Sequence, residues 1–284
     1  MILVTGASGN VGTALVARLR SSGHEFRAAY HSASTAQKAT DAGIDAVTIE
    51  MSDPDTLVPA LAGVSRVFLL GAMSPEQTIN EVNVVNASIA AGVRHIVKQS
   101  VWRADEELTP IARLHRPVER LLAEAPIEWT FLRSNFYMQT FSSNWAEGIR
   151  ANSVFASPLI RGPISFVDVN DIARVAERAL TEDRHHHKIY VLTGPAALSY
   201  EQAAGVLSDV LGRPVTYTGL SDEQARDLLP QFGVSLFETD ALVEVCTVYR
   251  DAGAETITST VAELTGQEPT SFEQFVVDHQ DLFR

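Results

Sequence analysis

The sequence predicts an α/β fold: a doubly wound, mostly parallel sheet followed by a smaller, mainly helical C-terminal lobe. Three observations carry this. Seven short apolar runs alternate with helical patterns over residues 2–193, a glycine-rich turn joins the first run to the first helix, and beyond residue 193 the helical patterns are interrupted by one short strand. Strand and helix alternating at this spacing build right-handed βαβ units, with helices covering both faces of the sheet.

The runs are residues 2–5, 26–30, 45–49, 66–71, 94–99, 128–133 and 188–193. Each is rich in Val, Ile, Leu or Phe with little polar alternation, as in strands buried on both faces. Helical patterns fill the intervals at 11–22, 33–42, 54–62, 75–91, 110–125 and 170–181. Gly23, Gly43 and Gly92 stand where helices end, and Asp53-Pro54 pairs an N-cap acid with proline at the first helical position. In the C-terminal lobe the helical stretches are 199–211, 221–232, 239–250, 258–264 and 271–281, with a strand at 214–218.

Composition narrows the function. Apolar residues at 45% and charged residues at 20% are those of an ordinary globular protein, and no apolar run reaches the ~18 residues of a membrane span. No basic segment precedes Ile2-Leu3-Val4, so no signal peptide is expected. The single cysteine, Cys246, excludes an intrachain disulfide framework, fits a reducing, cytoplasmic setting and reads as a small core residue. A net charge of −13 opposes nucleic-acid binding, and the basic clusters at 113–120 and 184–188 carry no interleaved aromatics. The expected partner is a small-molecule substrate, with no nucleic acid and no membrane, for a monomer or homodimer.

The run Gly6-Ala7-Ser8-Gly9-Asn10-Val11-Gly12 lies between the first strand and the first helix. In that context Gly6 permits a tight turn, Gly9 lets backbone approach a pyrophosphate, and Gly12 lets helix pack on strand. The free N–H groups and positive dipole end of the helix then face phosphate. This is a dinucleotide-binding turn of the Rossmann kind, spaced G-x-x-G-x-x-G, and the expected ligand is NAD(P). The domain that binds it spans 1–135 with 164–194 returning to it, and a substrate lobe spans 195–284 with 136–163 contributing.

An acid at the end of the second strand would accept the ribose hydroxyls of NAD. This chain instead has Tyr30-His31-Ser32-Ala33-Ser34, with Lys38 beyond, which favours NADP(H) over NAD(H). After the third strand comes Glu50-Met51-Ser52-Asp53-Pro54; an acid in this turn commonly faces the adenine edge, but Asp53 reads mainly as a helix cap. Candidate cofactor contacts are therefore Gly6, Ala7, Ser8, Gly9, Asn10, Val11, His31, Ser32, Met51, the strand-end residues Gly71, Ala72 and Met73, and Asn135.

The turn, Ser52-Asp53-Pro54, Ala91-Gly92-Val93-Arg94-His95-Ile96-Val97, residues 127–136, residues 166–173 and Leu192-Thr193-Gly194-Pro195 together resemble the NmrA-like family of atypical short-chain dehydrogenases/reductases. The resemblance covers nearly the whole chain. It implies a Rossmann-type fold with a nicotinamide cofactor, but not one reaction. The family holds reductases of quinones, triphenylmethane dyes and phenylpropanoids, redox-sensing regulators without chemistry, and tailoring reductases. The chain most resembles the quinone and dye reductases.

Ordinary short-chain dehydrogenases use Tyr-x-x-x-Lys, in which lysine lowers the tyrosine pKa for proton transfer. None of the 6 tyrosines here has lysine four residues later. Residues 111–119 also lack the lysine that aromatic-ether reductases of the family carry there. Hydride transfer to an electron-poor quinone or cationic dye depends more on orientation and exclusion of water than on a strong acid. Trp102, Phe136, Tyr137, Met138 and Trp145, with Phe141, supply an apolar wall for a flat substrate. The resemblance places His115 at a histidine position of the dye reductases and Ser100 at the superfamily's catalytic serine. These are the candidate catalytic residues, His115 as proton donor with an ordinary pKa of about 6.5. His185-His186-His187 lacks the partners of a metal site and reads as a solvated loop, so no metal is expected.

The expected function is an NAD(P)H-dependent reductase that transfers hydride to a quinone, a dye-like compound or a conjugated biosynthetic intermediate without Tyr-x-x-x-Lys. The alternative is a non-catalytic NAD(P)-sensing regulator acting through a protein partner. A sugar-nucleotide epimerase uses the same turn but needs the missing Tyr/Lys pair.

Overall fold

The computed structural model describes residues 1–251 and 253–284. The chain runs β1 (Ile2–Val4), α1 (Asn10–Ser21), β2 (Phe26–Tyr30), α2 (Ala33–Asp41), β3 (Ala46–Thr48), α3 (Pro54–Ala60), β4 (Arg66–Leu69), α4 (Gln77–Ala90), β5 (His95–Val101), α5 (Pro110–Glu124) and β6 (Glu128–Ser134). It continues through α6 (Gln139–Ser143), α7 (Ala146–Asn152), β7 (Val154–Pro158), α8 (Val169–Thr181), β8 (Lys188–Leu192), α9 (Tyr200–Leu211) and β9 (Thr216–Leu220). Five helices close it: α10 (Asp222–Leu228), α11 (Leu236–Val248), α12 (Thr260–Thr265), α13 (Phe272–Asp278) and α14 (Gln280–Phe283). Among the described residues no helix is long and apolar enough to cross a membrane.

Two compact units result. The first comprises Met1–Glu107, Ala112–Arg133 and Ile172–Val191. Its seven-stranded sheet has the order β3-β2-β1-β4-β5-β6-β8, so the doubly wound expectation holds. Val4 pairs in parallel with Ala28 on one side and Phe68 on the other. Strand order reverses between β1 and β4, and in such sheets ligands bind outside the strand C-termini at that point. One face of the sheet buries Leu3, Val67, Leu69 and Ile96 against Val84, Val85, Val118 and Leu122 from the helices. Truncating such a residue to alanine costs about 2–5 kcal/mol.

The helix signals behave as their chemistry requires. Asp53 caps α3 by accepting from Asp55 N–H, and Gly43 takes φ +80° after α2. On α1, the last-turn Arg18 makes two hydrogen bonds to Glu177 of α8, at 2.9 and 2.6 Å.

The second unit comprises Leu108–Ile111, Ser134–Asp171 and Leu192–Arg284. The expected boundaries need correction. Residues 164–171 stay in this unit because Ile164 bridges Leu198 and Ala254, and Val167 bridges Tyr137. The return to the sheet therefore begins at Ile172 and ends at Val191, not at 164 and 194. The unit also holds a two-stranded sheet in which β7 pairs in parallel with β9, Val154 opposite Thr216. Strand β7 was not expected, its partner lying far along the chain, and the expected strand at 214–218 sits at Thr216–Leu220. Helix α11 starts earlier than residue 239 because Ser235 and Glu238 form a capping box. Pro230 stops α10, and the expected helix to Phe232 ends in a 3-10 turn.

Candidate active site

The glycine turn has the geometry expected of it. Gly6 sits at φ +61°, where a side chain is strained, and a methyl there would stand 2.9 Å from the Leu70 carbonyl oxygen. A methyl on Gly12 would overlap the Gly6 carbonyl. The turn is closed by Gly9 N–H donating to the Gly6 carbonyl at 3.0 Å, and Thr13 Oγ1 donates to the Ala7 carbonyl at 3.1 Å. No side chain caps α1, and its first turn holds no acid. The leading N–H groups are thus left for an outside acceptor, with Ser8, Gly9 and Asn10 exposed. These residues fit the pyrophosphate of a dinucleotide. A groove of about 800 Å³ adjoins the turn, lined in part by Ala7, Ser8, Thr13, Tyr30 and Thr35.

At the neighbouring strand ends the structure changes two expectations. Ser32 is the N-cap of α2, its hydroxyl accepting from Thr35 N–H at 3.4 Å. His31 is exposed, but its Nε2 lies 2.9 Å from Glu50 Oε2. An acid is therefore present beside the second strand, delivered from the end of the third. Glu50 Oε1 accepts from Ser52 N–H at 3.2 Å and Ser52 Oγ at 3.0 Å. These bonds, then His31, hold the Glu50 carboxyl below its usual range. Met51 is half-buried against the sheet core, and its carbonyl accepts from Asn83 Nδ2 at 3.0 Å.

A buried polar cluster lies where β4, β5, α4 and α5 meet. Helix α5 buries Ala112, His115, Val118, Glu119 and Leu122, one stripe at helical spacing in which two members are polar. Helix α4 buries Gln77 and Glu81 in its N-terminal half. From β5 point Lys98 and Ser100, two residues apart and so on one face of the sheet. Lys98 Nζ lies 2.8 Å from Glu81 Oε2, 3.0 Å from Glu81 Oε1 and 2.8 Å from His115 Nδ1, and donates to the Gln99 carbonyl. Glu81 Oε1 also accepts from Gly71 N–H at 2.9 Å, and Gln77 Nε2 stands 3.4 Å from His115 Nδ1.

His115 is therefore not a surface residue. Burial, and then the Lys98 charge, push its pKa well below the ordinary histidine value. It is a neutral imidazole at neutral pH, which corrects the expectation of an acid titrating near 6.5. Such a group donates a hydrogen bond rather than a proton.

Ser100 belongs to a second network. Its hydroxyl donates to Glu119 Oε1 at 2.8 Å. Arg133 clamps Glu119 through Nε at 3.0 Å and Nη2 at 2.7 Å, and also reaches Asp105 at 2.6 Å. Arg116 adds a bond to Glu119 Oε2 at 3.0 Å. Trp102 is half-buried beneath Arg103, whose guanidinium lies 5.3 Å from the ring centroid. Gly71 is buried, whereas Ala72 is exposed and Met73 half-buried.

Several candidates fall within the second unit. Asn135 donates to Ser165 Oγ at 2.7 Å and to the Ala254 carbonyl at 2.8 Å, so its amide braces that unit. Met138 and Phe141 are fully buried, and Trp145 stacks on Phe155 with centroids 5.1 Å apart. These residues are core of the second unit rather than an open wall. Phe136 and Tyr137 remain partly exposed, and the Tyr137 hydroxyl accepts from Ser134 Oγ at 3.3 Å.

In the histidine run His187 is exposed, as a solvated loop requires, and His185 departs from that expectation. His185 is buried, with Nδ1 2.8 Å from the Tyr190 hydroxyl. Among the described residues no cluster suits a metal ion. Cys246 is core as expected, and burial pushes its thiol up to about 12.

A glycine cradle beneath an uncapped helix, at the switch point of a parallel sheet, defines a Rossmann-type protein of the dinucleotide-binding class. The sequence profile of the NmrA-like family matches residues 1–276, and the chain belongs to that family. It is 31% identical over 284 residues to the NAD(P)H azoreductase of Xenophilus azovorans, covering 100% of this chain and 99% of that protein. It is 33% identical over 286 residues to the (4-alkanoyl-5-oxo-2,5-dihydrofuran-3-yl)methyl phosphate reductase of Streptomyces griseus, covering 100% and 99%. The NADPH-dependent quinone oxidoreductase of Escherichia coli, solved with NADPH, superposes with a TM-score of 0.87 at 28% identity, covering 100% of both chains. The chain is an oxidoreductase.

Proposed function

We propose that the chain is an NAD(P)H-dependent reductase of electron-poor conjugated or aromatic small molecules such as quinones and azo or other dyes, and that NADPH is its preferred cofactor. The observation that carries this is the pairing of an open phosphate cradle with a buried centre that offers hydrogen-bond donors but no Tyr-x-x-x-Lys acid. The relatives named above are an azoreductase, a dihydrofuranone phosphate reductase and a quinone oxidoreductase, and azo, enone and quinone groups are conjugated π systems able to accept hydride.

Gly6, Gly9 and the N–H groups leading α1 would hold the pyrophosphate, and the strand-end residues Gly71 to Met73 would contribute further cofactor contacts. His31, Ser34 and Lys38 attract a 2′-phosphate, and the Glu50 charge beside His31 tempers that preference, so NADH is also admitted. Bound there, a reduced nicotinamide supplies the hydride. His115 donates a hydrogen bond to the acceptor from its neutral ring, and solvent supplies the proton that completes the two-electron reduction.

The test is oxidation of NADPH and NADH by the full chain against a panel of quinones, azo dyes, cationic dyes and unsaturated lactones. Turnover with conjugated acceptors and a lower KM for NADPH than for NADH is the expected result. Tight binding of both dinucleotides with no turnover on any acceptor would overturn it in favour of a sensing role.

A further inference from the structure

We infer that Lys98 is a positioning residue: its buried ammonium, held against the Glu81 carboxylate, fixes His115 as the Nε2-protonated tautomer. The inference rests on the reading of His115 as the donor to the bound acceptor. Lys98 and Glu81 are both fully buried, and nothing in the phosphate cradle requires either of them.

The tautomer follows from counting protons. An ammonium has three N–H donors and no lone pair. The three acceptors around Lys98 Nζ are the Glu81 carboxylate at 2.8–3.0 Å, the Gln99 carbonyl and His115 Nδ1 at 2.8 Å. His115 Nδ1 therefore accepts, and a neutral imidazole that accepts at Nδ1 carries its proton at Nε2. The reverse arrangement, a neutral amine accepting from Nδ1–H, would strand the buried Glu81 carboxylate without a counter-ion and is strongly unfavourable.

The charges that face the ring are Lys98 from β5 and Glu81 from α4. On its own helix Arg116 and Glu119 are engaged in the Arg133 network. A second proton on His115 would meet the Lys98 charge at 2.8 Å in a dry site, which is why the ring stays neutral. Glu81 has a further effect. Its Oε1 holds Gly71 N–H, so one buried ion pair sets both the imidazole and the backbone at the end of β4. Ring and strand end are thereby pre-organised together.

The test is NMR of the full chain labelled with 15N-histidine, the His115 signals being assigned by their loss in His115→Gln. The expected spectrum is a single Nε2–H tautomer that does not titrate between about pH 8 and about pH 5, where an ordinary histidine does. An Nδ1–H tautomer, or titration near the ordinary value, overturns the inference. The second arm uses Lys98→Met/Glu81→Gln, which removes both buried charges at once. Its His115 is expected to lose the fixed tautomer and to titrate at higher pH than in the parent. The kcat should fall about tenfold, the scale of a lost hydrogen-bond contribution of ~1.4 kcal/mol. An unchanged His115 spectrum in this variant overturns the inference, and if the variant does not fold the parent spectrum decides. Failure of the reductase reading is separately visible, because the tautomer is read without turnover.

Discussion

Ser100 donates its hydroxyl hydrogen to Glu119 at 2.8 Å, and the two lie on β5 and α5 just as Lys98 and His115 do. Lys98 and Ser100 are two apart on a strand, and His115 and Glu119 are four apart on a helix. The helix thus docks on the strand through two parallel polar contacts, and in the proposed mechanism only the Lys98–His115 contact ends on a group that meets substrate. Ser100→Ala should therefore act on stability, losing about 1.5–3 kcal/mol for a hydrogen bond to a charged acceptor. Its kcat should fall by much less than the about hundredfold expected of a proton-transfer residue. Urea unfolding and steady-state kinetics on one preparation separate the two effects. A hundredfold loss of kcat at unchanged stability would return Ser100 to the catalytic group.

The proposed preference for NADPH makes Glu50 the residue to test. Its carboxylate is fixed by Ser52 and stands beside His31, where a 2′-phosphate would bring a second negative charge. Glu50→Gln keeps the shape and removes the repulsion. The preference for NADPH over NADH, as the ratio of kcat/KM, should rise about fivefold, the scale of two charges about 4 Å apart in water. The rise should shrink in high salt because the site is exposed. An unchanged ratio would mean that the 2′-phosphate lies away from Glu50.

The glycines of the turn differ in what they protect. A methyl on Gly12 overlaps the Gly6 carbonyl, whereas one on Gly9 meets only the Gly6 oxygen at 3.4 Å. Gly12→Ala should lower the thermal midpoint and abolish binding of both dinucleotides. Gly9→Ala should leave the midpoint nearly unchanged yet weaken binding by about tenfold or more, since its methyl faces the ligand rather than the protein. Calorimetric titration with scanning calorimetry distinguishes them. Undiminished binding by Gly9→Ala would show that the pyrophosphate does not approach this part of the turn.

The contrast between turn and cluster shows which physics a sequence displays. The turn was legible because strand, glycines and helix are contiguous and each glycine has a local steric cause. The strands were legible because burial on both faces removes polar alternation, as in Ile2–Val4. The buried role of His115 was half legible: it shares the stripe of Ala112, Val118 and Leu122, which places it inside rather than on the surface. The signal of Lys98, a lysine beside Ile96 and Val97, was not used, and its partner Glu81 is fixed only by how α4 lands on β5. Glu50 was missed because the acid was sought on the second strand, whereas it reaches His31 from the third. The apolar wall was legible only in part, with Met138 and Phe141 buried and Trp102, Phe136 and Tyr137 partly exposed. Aromatic spacing does not tell a core such as Phe141, Trp145 and Phe155 from a binding surface.

Far from the turn, at the start of β5, His95 should govern the response to acid. Thr130 Oγ1 donates to the His185 carbonyl at 2.6 Å, so it accepts from His95 Nε2–H at 2.9 Å. His95 Nδ1 is then a buried lone pair with no partner among the described residues. Burial, followed by the nearby His186, Arg66, His185 and His187, lowers the His95 pKa to about 3. Above the ordinary value of about 6.5 the ring is neutral in both folded and unfolded chains and contributes nothing to pH dependence. Below it the unfolded chain binds a proton that the folded one refuses, so stability falls as pH drops from about 6.5 towards 3. The slope from this residue approaches ~1.4 kcal/mol per pH unit. The depressed His115 and His185 add to the same limb. His95→Gln keeps an N–H for Thr130 but cannot titrate. Urea unfolding across the range should show the variant somewhat less stable near neutrality and converging on the parent as pH falls, because its acid limb is shallower by one proton. Parallel curves for the two proteins would mean that His95 takes up its proton in the folded state as readily as in the unfolded one.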